Sequence, residues 1–305
     1  MGGEESAVWG PSSGIPASGP RGDGPDAVNR SRGDWDVTIA SRSATRLSVD
    51  LLGRFAVRGS NGVEVRLAGR HAQALFTLLA LTRRPRTREA IAADLWPDSM
   101  VSATGPLRQA LYQVRGALAS ASIDPDTILE SDAETLGVRP EAVARLDTVE
   151  FESCTDDPSC SAERAVELYT GDLAEGLGHE CFAAERERLA DRYEDALAIV
   201  AAQRLAIDDL DGARTAAERL ISRDPLREEA HGVLIAVHGL AGSRSQVVRQ
   251  YRRLQLILAR ELGEAPLPDT DAIYRQALHR TVARALEHAS EIEPATERSL
   301  ALVGR

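Results

Sequence analysis

The sequence predicts a mainly α protein, in which a small α+β domain of the winged helix-turn-helix type precedes an all-α domain of tetratricopeptide-like helical repeats. Apolar residues first alternate with period two, from Leu47 to about residue 67. They then recur at helical spacing in three segments, and from about residue 160 onward every segment is helical. With 305 residues the chain is long enough for about two domains, each with its own core.

The first 45 residues differ in composition from the rest. Gly, Pro and Ser account for 19 of these 45 residues. Such a segment has too few apolar groups to offset the entropy lost on ordering. We expect residues 1–45 to form a disordered arm, followed by a first domain over residues 46–140.

Short strands open this first domain and close it. The opening strands are predicted at residues 47–51, 55–57 and 63–67, the last one after the turn signal Ser60-Asn61-Gly62. After the turn at Asp124-Pro125-Asp126, residues 127–130 and 136–139 are expected to pair as a wing.

Three helices are predicted between the opening strands and the wing. The first spans residues 71–81, and the second begins after the cap residue Thr87 and ends before Pro97. The third spans residues 102–120, and its apolar stripe consists of Leu107, Leu111, Val114 and Leu118. The order of strands, three helices and hairpin is that of a winged helix.

The second predicted domain, residues 141–285, consists of paired helices. They are expected at residues 161–169, 181–206, 211–222, 226–241, 244–262 and 269–285. The pairs 182–222 and 226–262 repeat with a period of roughly 40 residues, which is compatible with stacked helical hairpins of the tetratricopeptide type. Residues 286–305 are expected to be a tail or a linker.

The charge is unevenly distributed between the two predicted domains. The whole chain has a net charge of −11, yet residues 46–140 hold 12 Arg against 10 acids, while residues 141–280 hold 17 Arg against 27 acids. We therefore expect the first domain, and not the second, to approach phosphate groups. The chain has no lysine, so every basic side chain is an arginine.

Several function classes are disfavoured by what the sequence lacks. It has no Gly-x-Ser-x-Gly, no phosphate-binding Gly-x4-Gly-Lys-Ser and no His-Glu-x-x-His, so we expect no enzyme, no cofactor and no catalytic residues. The three cysteines and His179 lack the short spacing of structural zinc ligands, and reduced thiols are expected. Without a basic and apolar leader or a long apolar stretch, the chain is expected to be cytoplasmic, with no membrane partner.

Motifs in both domains resemble those of a known family. In the first domain they are Leu51-Leu52-Gly53, Thr87-Arg88-Glu89, Leu95-Trp96-Pro97-Asp98 and Leu107-Arg108-Gln109-Ala110-Leu111-Tyr112. In the second they are Leu168-Tyr169-Thr170-Gly171-Asp172-Leu173, Asp224-Pro225-Leu226-Arg227-Glu228-Glu229 and Gln250-Tyr251-Arg252-Arg253-Leu254. Over about residues 47–280 the chain resembles the Streptomyces antibiotic regulatory protein (SARP) family, in which an OmpR-type winged helix precedes a bacterial transcriptional activation domain.

The resemblance implies a sequence-specific transcriptional activator of secondary-metabolite genes. Members bind direct repeats near promoters as pairs of subunits and recruit RNA polymerase, so the implied partners are double-stranded promoter DNA, RNA polymerase and a second copy. The segment Ala301-Leu302-Val303-Gly304-Arg305 resembles the opening of the ATPase domain of large members, so the chain is expected to be an N-terminal part or a truncated relative. Gln113 and Gly116 stand where members commonly have Arg, and the usual Gly-Tyr of the wing is missing.

In a winged helix the third helix enters the major groove, and flanking groups hold phosphates. The base-reading candidates are therefore Arg108, Gln109, Tyr112 and Arg115, since Arg can bind guanine and Gln adenine in bidentate fashion. The phosphate-binding candidates are Ser102, Thr104, Thr87, Arg83, Arg84, Arg86 and Arg88. The alternative is a protein-interaction scaffold with a vestigial winged helix, in which these residues form only a solvated surface.

Overall fold

The structure is a computed structural model, and it describes residues 46–98, 104–157 and 160–283. The expected arm at residues 1–45, Ser102 and the expected tail at residues 286–305 lie outside the described residues. The predicted fold class is confirmed: a winged helix-turn-helix with two small sheets is followed by an all-α domain of paired helices.

The first sheet has three strands in the order β2-β1-β6. Strands β1 (Leu47–Asp50) and β2 (Ala56–Gly59) are antiparallel, and β1 pairs in parallel with β6 (Val143–Leu146). Strand β6 lies on the C-terminal side of residue 140, where the sequence predicts the domain boundary, although it completes the N-terminal sheet. Residues 63–67, predicted as a strand, make only an isolated bridge between Arg58 and Glu64. Two backbone hydrogen bonds flank this bridge: the Gly59 N–H donates to the Val63 carbonyl at 2.9 Å, and the Val65 N–H donates to the Val57 carbonyl at 2.8 Å. The segment therefore pairs with β2 over a short stretch, and Val65 and Leu67 are buried.

The three predicted helices lie at the expected places. They are α1 (Arg70–Thr82), α2 (Arg88–Leu95) and α3 (Thr104–Ser120), and α3 packs on both of the others. Helix α1 is almost fully buried from Ala74 to Ala80, so it forms the centre of this domain. The chain leaves α1 through Arg83, whose left-handed φ of 53° ends the helix.

The second sheet forms the wing. Its strands β3 (Arg86–Thr87), β4 (Leu129–Ser131) and β5 (Thr135–Val138) are antiparallel in the order β3-β5-β4. The prediction that the first wing strand begins at Thr127 is wrong, because residues Pro125–Ile128 form a short helix, α4. Asp124 caps α4 by accepting a hydrogen bond from the Asp126 N–H, and Pro125 has the backbone angle that a first helical residue needs.

The all-α domain begins with a helix that the sequence analysis missed, α5 (Asp147–Asp156). The helices that follow are α6 (Ala162–Leu168), α7 (Ala183–Ala206), α8 (Leu210–Arg223), α9 (Glu228–Leu240), α10 (Arg244–Glu261) and a last one, α11, over residues 268–283. From α5 to α10 each helix packs against the next one, as in stacked helical hairpins.

Asp147, the first residue of α5, connects the winged helix to the all-α domain. Its carboxylate accepts hydrogen bonds from the N–H groups of Leu51 and Leu52, at 2.7 and 2.8 Å, just after β1 ends. Beside it, the Gly53 N–H donates to the carbonyl of Asp172 at 3.1 Å, and Gly53 has a φ of 89°. A Cβ at Gly53 would lie 2.6 Å from Thr170 Oγ1, so this close approach requires glycine.

One cysteine expectation is wrong. Cys154 at the end of α5 and Cys160 before α6 form a disulfide, whereas reduced thiols were expected from the low cysteine count. Among the described residues only Cys181 is a free thiol, and burial raises the pKa of this thiol.

Candidate nucleic-acid interface

Helix α3 has one buried face and one exposed face. Of the predicted stripe, Leu107, Val114 and Leu118 are buried against the domain core, whereas Leu111 is half-buried and Ala110 is buried in addition. On the other side Arg108 and Gln109 are exposed, and the Tyr112 ring is 73% exposed. These three side chains follow each other at positions i, i+1 and i+4, so they form one outward patch that a major groove could accept.

The guanidinium of Arg108 is available to bind a ligand. It is exposed and makes no ion pair within the part of the chain that the structure describes. Arg108 and Leu107 line a shallow pocket of about 340 Å³, whose other walls are Arg88, Asp132 and Ala133 of the wing region. The start of the helix and the wing tip therefore flank the same depression.

Arg115, the second charged candidate on the helix, is bound within the protein. Its Nη2 lies 2.6 Å from Oδ1 of Asp126, and the side chains of Arg115 and Asp126 are 37% and 72% exposed. The Asp126 carboxylate can compete with a phosphate or a base for this guanidinium. Sequence reasoning missed Asp126 because it lies 11 residues away, beyond the spacing of helical neighbours.

The four candidate arginines from the end of α1 to the start of α2 differ in their contacts. Arg86 forms an ion pair with Asp94 at 2.6 Å, and Arg88 donates to Ser131 Oγ and to the carbonyl of Asp132, at 2.8 and 2.9 Å. Both side chains thus stabilise the domain, and Arg88 fastens the wing to α2. By contrast, Arg83 and Arg84 are exposed and form no ion pair with any described residue.

Two of the hydroxyl candidates, Thr87 and Thr104, lie at helix N-termini. Thr87 Oγ1 accepts a hydrogen bond from the Ala90 N–H at 3.2 Å, so Thr87 is the N-cap of α2. Thr104 is the first residue of α3, and Ser102 precedes the described part of this helix. The first described turn of α3 contains no acidic residue, and a helix N-terminus favours an anion.

The wing tip is acidic. Asp132 accepts hydrogen bonds from the Thr135 and Glu134 N–H groups and from the Thr135 hydroxyl, and the Thr135 N–H in particular lowers the pKa of Asp132. Glu130 and Glu134 are also exposed on this hairpin. An ionised tip repels phosphates, so the arrangement favours contact through α3 and the Arg83–Arg84 loop over contact through the wing.

The comparisons with known proteins identify the all-α part. Residues 152–278, from within α5 to within α11, match the family model described as the bacterial transcriptional activator domain. This part of the chain is similar to such a domain. The predicted resemblance to the SARP family is thereby confirmed, since an activator domain follows a winged helix in the expected order.

A solved structure has the same fold. Mycobacterium tuberculosis EmbR, solved in complex with a low affinity phosphopeptide, is 20% identical in sequence and superposes with a TM-score of 0.62. The similarity covers 83% of this chain and 72% of that chain. No curated protein matches the sequence.

The described residues contain neither a membrane-spanning helix nor a metal site. No helix among them is long and apolar enough to cross a membrane. No three His, Cys, Asp or Glu side chains within the described ranges are placed so that they could share a metal ion.

Proposed function

We propose that the chain is a sequence-specific, DNA-binding transcriptional activator whose helix α3 reads the major groove of promoter DNA. The observation that carries the proposal is the exposed patch of Arg108, Gln109 and Tyr112, which lies opposite the buried stripe of α3. Arg108 would bind a guanine edge, Gln109 would bind an adenine, and Tyr112 would contact the adjacent backbone or a base.

Phosphates on either side of the groove would be bound by the N-termini and the basic loop. The N-terminus of α3 and the exposed Arg83 and Arg84 are suited to this purpose. Arg86 and Arg88 are engaged inside the protein and would act indirectly, by holding the loop and the wing in place. With Arg115 bound to Asp126 and the wing acidic, one subunit would bind weakly, which fits binding of two copies to direct repeats.

The finer biological role is part of the same proposal. Guided by the SARP resemblance, we propose secondary-metabolite biosynthesis genes as the targets, RNA polymerase as the partner of the activator domain, and the cytoplasm as the location. The match to the activator domain supports this proposal.

The test is a binding assay with DNA from upstream of the chain's own gene. Arg108→Ala should weaken binding to the preferred sequence by about 1–3 kcal/mol and relax the preference at one base pair. Arg54→Ala is the matched control, since Arg54 is also exposed and forms no ion pair among the described residues. It should bind as the unmodified chain does.

The acidic wing and the Arg115–Asp126 pair favour a second candidate, a protein-interaction scaffold whose winged helix no longer reads DNA. The two candidates differ in specificity and in salt dependence. A DNA-reading protein loses affinity steeply as salt rises and distinguishes sequences. Equal and weak retention of every DNA sequence would favour the scaffold.

A further inference from the structure

Two surfaces of the all-α part carry opposite charge. Helix α10 holds five Arg and one Glu, whereas residues 147–206, which include α5 to α7, hold 15 acids and five Arg. The net negative charge of this half of the chain therefore conceals a basic helix, α10. Because each helix packs on the next from α5 to α10, the basic and acidic surfaces lie at opposite ends of the helical stack.

The outer face of α10 is basic and surrounds an apolar side chain, and we name it the Leu256 face. Its residues, at helical spacing, are Arg249, Arg252, Arg253, Leu256 and Arg260. Leu256 is 72% exposed, and all four arginines are exposed. Arg260 pairs with the adjacent Glu261 at 3.4 Å, and the other three make no ion pair within the described ranges. The opposite side of α10, with Val247, Leu254 and Leu258, is buried.

A groove between α5, α6 and α7 offers the complementary features. It has a volume of about 520 Å³, and Ala165, Ala196 and the Cys154–Cys160 disulfide contribute to its lining. Ile199 lines it as well and is 49% exposed. We name it the Ile199 groove.

Carboxylates surround the Ile199 groove. Asp156 and Asp195 line it, and each side chain is 64% exposed although it pairs with one arginine, Arg192 or Arg227. Arg192 also lines the groove, but its guanidinium is bound to Asp156 and to the Thr155 hydroxyl. The apolar centre of the Ile199 groove is complementary to Leu256, and its acidic border is complementary to the arginines of the Leu256 face.

We propose that the Leu256 face of one copy docks into the Ile199 groove of a second copy. Leu256 would pack on Ile199 and Ala196, while the surrounding arginines would meet Asp156 and Asp195. Because the two surfaces differ, the contact is head-to-tail: each copy offers a face to one neighbour and a groove to another.

DNA is a poorer occupant of the Leu256 face. A phosphate backbone has no apolar group to cover a leucine that stands at the centre of the arginines. The small core beneath α10, with Ile235, Val247 and Ala277, is also separate from the core that supports α3. A substitution on the Leu256 face therefore leaves the core that supports α3 intact, so self-association and DNA binding can be tested separately.

The experiment is sedimentation velocity over a range of protein and salt concentrations. Leu256→Asp and Ile199→Asp should each raise the dissociation constant for self-association by about tenfold or more, the effect expected of a central interface residue. The matched controls are Leu267→Asp and Ile207→Asp, since these side chains are 59% and 71% exposed and lie outside both surfaces. They should associate as the unmodified chain does.

Mixing the two defective variants tests the head-to-tail arrangement. Leu256→Asp retains an intact groove and Ile199→Asp retains an intact face, so the mixture has one working contact and should form dimers and nothing larger. At concentrations where the unmodified chain associates, each variant alone should be mostly monomeric, with an unchanged circular dichroism spectrum.

Three results would overturn the proposal: an unmodified chain that stays monomeric at every soluble concentration, folded variants that associate normally, or a mixture that fails to dimerise. The double variant Arg252→Glu with Arg253→Glu adds a further check. It should lose self-association but still bind a DNA fragment holding one site. If it instead loses DNA binding and still associates, the face binds phosphate and the proposal is wrong.

Discussion

The guanidinium of Arg115 lies 2.6 Å from the carboxylate of Asp126, so an arginine on the candidate reading helix is neutralised by a residue of the short helix before the wing. Both side chains are partly exposed, so this ion pair contributes little to stability. Its larger effect is expected on DNA affinity, because DNA must displace Asp126 before it can use Arg115.

Asp126→Asn should therefore strengthen DNA binding. Loss of an exposed ion pair and of one repelling charge should tighten binding by about two- to fivefold. One additional phosphate contact should steepen the slope of log K against log salt by about 0.9. Fluorescence anisotropy at several salt concentrations measures both quantities. Glu141→Gln is the charge-matched control, and an equal gain from this exposed site would show that only net charge matters.

Arg88 is expected to stabilise the wing. Its hydrogen bonds to Ser131 and Asp132 should be lost in Arg88→Ala, with a decrease of roughly 0.5–1.5 kcal/mol in the free energy of unfolding. Hydrogen exchange should speed up at the Glu134 and Thr135 amides, which Asp132 holds. Arg84→Ala, which removes an exposed arginine from the same loop, should leave both measurements unchanged. Equal effects of the two variants would contradict the assignment.

Asp147 should give the fold a distinctive pH dependence. Burial raises the pKa of Asp147 to about 6, from an ordinary value of 3.8, despite the hydrogen bonds that its carboxylate accepts from N–H groups. The folded state therefore holds this proton more tightly than the unfolded chain does. Asp147 contributes most to stability below about pH 4, its contribution declines as the pH rises to about 6, and it is constant above that.

Denaturant unfolding of the unmodified chain and of Asp147→Asn, measured between pH 4 and pH 7, checks this expectation. The difference in unfolding free energy between the two should shrink as the pH rises from 4 to 6, because the unmodified chain loses the stabilisation that comes from the proton on Asp147. The amide should also cost about 1–3 kcal/mol, because its NH₂ faces N–H donors. A constant difference across the range would show that Asp147 does not titrate there.

The Cys154–Cys160 disulfide should stabilise the activator domain. Cross-linking a loop of this length is expected to add about 2 kcal/mol by reducing the entropy of the unfolded chain. Thermal unfolding with and without a reductant should differ for the unmodified chain and coincide for Cys160→Ser. A melting temperature that does not respond to reductant in either protein would contradict this expectation.

Local patterns predicted the fold well and the site only in part. The spacing of Leu107, Val114 and Leu118 determines which side of α3 is buried, and therefore which side can face DNA. The partners of Arg88 and Arg115 could not be predicted, because Asp132 and Asp126 are brought near by tertiary packing. At α4 the β-branched Thr127 and Ile128 suggested a strand, but the cap at Asp124 and the proline after it favour a turn of helix.

The parallel pairing of β1 with β6 has a consequence for synthesis on the ribosome. Leu47 pairs with Val143, so the first strand of the described fold leaves the exit tunnel almost a hundred residues before its neighbour. The carboxylate of Asp147, which binds the backbone just after β1, emerges later still. During that interval the edge of β1 is open, and the nascent winged helix cannot finish folding until the first turn of α5 has been made.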